Sequence, residues 1–100
     1  MASLAAIATG VGSNLIHRAA DVTLKEKRPL VLVVRETPLN RIHIKNMLAA
    51  DRAGAVIAPA CPQFYLRPKT LSDMVEHFTA RILDLLHVPH ESSKRWGEEY

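Results

Sequence analysis

Arg35 and Glu36 stand side by side where an apolar run, Leu30 to Val34, comes to an end, and Thr37-Pro38 follows them. A guanidinium beside the start of a helix suits an anion, because the helix's free N–H groups and the cation act on the same charge. A structural ion pair closing the strand end accounts for the same two residues equally well at this stage. Tyr65 lies in a proline-punctuated loop, and its hydroxyl can donate to a phosphate; an ordinary packed aromatic is the plain alternative. Arg81 and Arg18 each sit at the edge of an apolar helical stripe, where a long side chain covers apolar surface and keeps its charge in water. Lys25 belongs to the cluster "KEKR", which reads as cations opposing the negative end of a helix. The five histidines, His43 and His77 among them, show no zinc-ligand spacing. There is no glycine-rich phosphate loop and no Ser/His/Asp arrangement of recognisable spacing.

The elements that must position these groups follow from the pattern. "SLAAIATG" reads as a short helix closing at Gly10 or Gly12. Ser13 or Asn14 caps the next helix, which runs to about Lys27 with Leu15, Ile16, Ala19, Ala20 and Val22 as its apolar stripe. Pro29 stops it. Leu30–Val34 has no polar alternation, so it is expected to be a parallel strand buried on both faces. Thr37 as N-cap with Pro38 at the first helical position starts a helix spanning about Leu39 to Ala53, ended by Gly54. Ala55 to Ala58 is a second short buried strand. Thr70 and Asp73 form a capping box for a helix reaching about Leu86, with a stripe of Leu71, Met74, Val75, Phe78, Ile82, Leu85 and Leu86. The tail, residues 88–100, is polar and contains Trp96.

Strands separated by helices imply an α/β parallel sheet. Two strands are too few to bury it, so residues 1–100 read as a single partial domain, the second half of a doubly wound fold. One hundred residues with 48% hydrophobic content sustain a core. A net charge of +3, dispersed along the chain, gives nucleic-acid binding no support. A single cysteine, Cys61, excludes an internal disulfide or a cysteine metal pair and fits a reducing cytoplasm. "MASLAAIATGVG" lacks a basic region and is too short for a membrane span, so neither a targeting signal nor a membrane role is expected.

Two long segments carry a resemblance. "RAADVTLKEKRPLVLVVRETPLNRIHIKNML" and "AGAVIAPACPQFYLRPKTLSDMVEHFTARILDLL" resemble the flavin prenyltransferases, the enzymes associated with ubiquinone synthesis and phenylacrylic acid decarboxylation. The resemblance covers nearly the whole chain and implies the C-terminal half of a flavodoxin-like, three-layer parallel-sheet domain. It implies FMN as cofactor, dimethylallyl phosphate as substrate and no metal. Large homo-oligomers with sites shared between subunits, and a separate decarboxylase that receives the prenylated flavin, come with the family. Carried over residue by residue, Arg35 matches an arginine contacting FMN near the substrate phosphate, and Glu36 a proton relay. Lys25 adds positive charge, Arg18 lies near the same cluster, Tyr65 and Arg81 hold the dimethylallyl phosphate, and Trp96 walls the pocket. "MASLAAIATG" resembles the end of the family's C-S-M-K-T-L-A-A-I-A stretch, so Met1, Ala2 and Ser3 are expected to keep part of a flavin-phosphate cradle through backbone N–H groups. The family's glycine-rich first turn and its later flavin-binding serine have no counterpart, and Cys61 stands where relatives often carry Met. A truncated or split enzyme follows from this; a catalytically dead remnant acting as an oligomerisation module, or a general anion binder, are the alternatives.

Overall fold

The computed structural model describes residues 1–90. Its elements, in chain order, are α1 (Ala2–Thr9), α2 (Leu15–Lys25), β1 (Val31–Val34), α3 (Arg41–Arg52), β2 (Val56–Pro59), a 3-10 turn at Phe64–Leu66, and α4 (Leu71–Leu85). This is the expected order of helices and strands. The chain divides into two compact units, Met1–Pro59 and the segment from Ala60 onward, and each is described by itself.

In the first unit, local chemistry sets the helix ends. Gly10 closes α1 in the left-handed region at φ 73°, with its N–H on the last carbonyls of the helix. Asn14 caps α2, its side chain accepting from the His17 N–H at 2.8 Å. Helix α3 begins later than the Thr37-Pro38 pair suggests. Asn40 is its N-cap: Oδ1 accepts from the His43 N–H at 2.8 Å, and the His43 ring lies 3.4 Å from the Asn40 N–H. That reciprocal cap satisfies two free donors, which Thr37 and Pro38 cannot do from three residues upstream. The Thr37-Pro38 peptide is cis. Gly54, at φ 113°, ends α3 and turns the chain into β2.

Strands β1 and β2 pair in parallel, with Val31 opposite Val56, Leu32 opposite Ile57, Val33 opposite Ala58 and Val34 opposite Pro59. Leu4 of α1, Ala50 of α3 and Ala55 form the buried centre, with Met1, Ala8, Leu24, Leu30, Leu32, Val34, Met47 and Ile57 packed on it. Ala50 is wholly buried, which lets α1 and α3 approach each other closely. Leu4→Ala should therefore destabilise this unit by about 2–4 kcal/mol, read as a lower urea midpoint. A shift under about 0.5 kcal/mol would show that Leu4 is not central to the core.

The expectation that the Leu30–Val34 strand is buried on both faces does not hold within the described residues. Val33 is 51% exposed. The physical reason is that, among the described residues, β1 has a paired strand on one edge only. Leu15 and Ile16 on α2 are 79% and 71% exposed, and no large side chain among the described residues is fully buried.

In the second unit, Leu66 and Ala80 are buried. Thr70 caps α4, its hydroxyl accepting from the Asp73 N–H at 3.0 Å. Asp73 completes the cap one residue further back than expected, accepting from the Lys69 N–H at 3.0 Å. Ala60, Cys61 and Pro62 face Leu71, Met74, Val75 and Phe78 across an apolar hollow of about 210 Å³. His90 and Asp84 form an ion pair at 2.6 Å when the imidazole is protonated. No described helix is long and apolar enough to cross a membrane.

Candidate functional site

A cleft of about 350 Å³ opens beside β1. One wall is the strand itself, Val31 to Val34, ending at Arg35; the other is the first turns of α1 with Met1, Ser3, Leu4 and Ile7, and Ile16 of α2. Three residues singled out in the sequence, Met1, Ser3 and Arg35, thus meet around one space although more than thirty positions separate them.

Two features give the cleft its electrostatic sense. The N-terminus of α1 has no side-chain cap, and the first intrahelical bond is the Ala5 N–H to the Met1 carbonyl at 3.0 Å. The N–H groups of Ala2, Ser3 and Leu4 are therefore left for an outside acceptor. Arg35 is exposed and makes no ion pair with any described carboxylate, Glu36 included. The alternative of a structural ion pair at the strand end needs such a partner, and among the described residues it has none. A cation, free amide N–H groups and a wall of valines suit a ligand with an anionic group and a flat apolar body.

Other predicted residues lie elsewhere. Ala2 is exposed in the first turn of α1 but contributes no side chain to the cleft wall. Glu36 is exposed just past Arg35. Lys25 is the last residue of α2, exposed, and does not line the cleft. Arg18 lines a second, smaller hollow of about 120 Å³ with Gly10, Gly12, His17 and Asp21. Tyr65, in the 3-10 turn, is half exposed, and Arg81 is exposed on α4; both belong to the second unit. Trp96 lies outside the described residues. One group escaped the sequence reading: His17, whose Nε2 is 3.1 Å from the Ser3 hydroxyl. Fourteen positions separate the two residues, and no local spacing signals the pair. Among the described residues no group of His, Cys, Asp or Glu is arranged to hold a metal.

A parallel α/β unit with an anion-seeking cleft at a strand's carboxyl end defines an open-sheet fold of the nucleotide-binding class. The chain belongs to the Flavoprotein family, whose model matches residues 1–85. It is 53% identical over 98 residues to the flavin prenyltransferase UbiX of Pseudomonas aeruginosa, covering 98% of this chain and 47% of that protein. A crystal structure of AnUbiX (PadA1) in complex with FMN and dimethylallyl pyrophosphate superposes with a TM-score of 0.91 at 46% identity, over 99% of this chain and 53% of that one. A dodecameric FMN-dependent UbiX-like decarboxylase from Escherichia coli O157:H7 gives a TM-score of 0.88 at 47% identity, over 97% and 52%. The resemblance to flavin prenyltransferases and the flavodoxin-like α/β class are both borne out. The chain spans about half the length of the curated relatives it matches.

Proposed function

We propose that this chain forms the C-terminal half of a flavin prenyltransferase, with residues 1–100 part of one flavoprotein domain. It would join the dimethylallyl group of dimethylallyl phosphate to FMN and pass the product to a separate decarboxylase. The observation that carries the reading is the cleft in which the α1 N-terminus, Ser3 and Arg35 surround one space against the apolar wall of β1. The residues present fit a flavin: free N–H groups and a hydroxyl for its phosphate, valines for its ring.

When bound, reduced FMN supplies the electron-rich ring that takes the allyl group. The chain's own residues do the rest. Arg35 offsets charge on the departing phosphate, and Glu36 carries a proton to it. On the family resemblance, Tyr65 and Arg81 are the residues for the dimethylallyl phosphate; Trp96, which the resemblance also assigns to the substrate, lies outside the described residues. Val31–Val34 exclude water from the allyl group. A cytoplasmic setting goes with a reduced cofactor and the free thiol of Cys61.

Lys25 and Arg18 fit this scheme as residues given to another copy's site, because neither lines the Arg35 cleft of its own chain. The dodecameric neighbour is a precedent for assembly into oligomers, and the family resemblance is what implies sites shared between copies. In an active, fully assembled enzyme, Lys25→Ala and Arg35→Ala should each be inactive. Mixed and reassembled in equal amounts they should recover about a quarter of the unaltered rate, the fraction of sites receiving both intact residues when subunits exchange at random. No recovery in mixtures proven to exchange would place Lys25 and Arg35 in the same subunit's site or remove Lys25 from it. The reading as a whole is tested by FMN titration and by prenylated-flavin formation from dimethylallyl phosphate. Absence of both, with the rest of the domain supplied, would overturn it.

A further inference from the structure

Ser3 lines the Arg35 cleft, yet its hydroxyl is held from outside the cleft wall, by His17 Nε2 at 3.1 Å. The local sequence fixes the His17 ring in three ways. Its backbone N–H is bound to Asn14 Oδ1 at 2.8 Å, which anchors the first turn of α2. Gly12 leaves it room: a Cβ there would fall 2.6 Å from the His17 Cβ. The backbone N–H of Ser13 points at Nδ1 from 3.4 Å.

The last contact favours one tautomer. A backbone N–H can only donate, so Nδ1 accepts, and a neutral ring then carries its proton on Nε2. The amide nitrogen of Asn14, 3.4 Å from Nε2, is also a donor and would favour the opposite tautomer; the Ser13 N–H is the contact whose hydrogen the backbone fixes, towards Nδ1. With the tautomer it favours, Nε2–H donates to Ser3 Oγ. A hydroxyl that accepts one bond keeps its own hydrogen for another. The space left for that hydrogen is the cleft, beside the unpartnered N–H groups of α1.

We propose that His17 is a positioning residue which, by donating to Ser3 Oγ, turns the Ser3 O–H into the cleft as a donor to the phosphate of the bound flavin. The inference rests on the flavin reading and goes beyond it in giving a residue on α2 a part in ligand recognition.

The test has two arms. In the enzyme completed with the rest of its domain, two-bond ¹H–¹⁵N correlation should show the His17 ring protonated at Nε2, with the preference lost in Ser3→Ala. A ring protonated at Nδ1 overturns the inference, since Ser3 would then spend its hydrogen on His17. In the same completed enzyme, His17→Ala should weaken FMN roughly 10- to 150-fold, the worth of one hydrogen bond to a charged group. Binding of riboflavin, which lacks the phosphate, should be unchanged. His17→Gln, whose amide can accept from Ser13 and donate to Ser3, should restore most of the FMN affinity. His17→Ala with Ser3→Ala together should be no weaker than Ser3→Ala alone. Equal losses for FMN and riboflavin would reduce His17 to a structural role and overturn the proposal. If the unaltered completed enzyme takes up neither flavin, the flavin reading itself fails and the inference falls with it; normal FMN binding by His17→Ala sinks the inference alone.

Discussion

Arg35→Ala is expected to lower flavin affinity and prenylation together, with kcat/KM falling about a hundredfold or more, as loss of two charge-assisted hydrogen bonds at roughly 1.5–3 kcal/mol each implies. The side chain is exposed and has no carboxylate partner among the described residues, so its removal should change stability by less than about 0.5 kcal/mol. That separation makes the experiment readable: an inactive variant that unfolds at the normal midpoint has lost ligand binding rather than its fold. Arg35→Lys keeps the charge and loses the planar fork, so it should recover only part of the activity. Glu36→Gln, next in the chain, should leave flavin affinity near normal and slow turnover, because it removes a proton carrier and little volume. The check is flavin affinity, KM for dimethylallyl phosphate and kcat measured on all three variants. Normal turnover by Arg35→Ala would remove the strand-end cation from the mechanism.

Features set by neighbouring residues were legible in the sequence. Asn14 and Thr70 cap helices because their side chains reach an N–H three residues away, a bond that needs no tertiary structure. Gly10 and Gly54 adopt positive φ where a helix must stop, and only a short segment decides that. The start of α3 expected at about Leu39, with Thr37 as its cap, lies early because a second good cap, Asn40 with His43, follows three residues after Thr37. In the site, Arg35 was legible from its place at the end of an apolar run. That Lys25 does not line the same cleft was not, since motif proximity along the chain says nothing about the direction in which a helix delivers its last residue. The Ser3–His17 bond was invisible for a related reason: it depends on how α1 and α2 pack, not on spacing along either.

Supplying the rest of the domain should have the largest effect on the chain as a whole. A parallel strand is stable when both edges are paired and both faces covered. Here β1 has one partner, Val33 is half exposed, and the α2 stripe that should face a core leaves Leu15 and Ile16 mostly in water. The buried centre of the first unit is small: Leu4 and two alanines. The 100-residue chain alone should therefore be oligomeric or unfold without a cooperative transition. It should also bind FMN about a hundredfold or more weaker than the completed domain, since the phosphate hydrogen bonds supplied from the other half, at roughly 1.5–3 kcal/mol each, are missing. Adding the half that relatives carry outside the matched region should produce a single cooperative transition and flavin uptake in the same titration. The coupling follows from position: the cleft lies against β1, so the strand that needs covering is also the wall of the proposed flavin site. Sedimentation and urea unfolding of the chain, with and without the complementary half, together with FMN fluorescence, give the measurement. A compact monomer that unfolds cooperatively and already binds FMN tightly would show that the exposed face of β1 needs no partner and that the chain's own cleft is a sufficient flavin site.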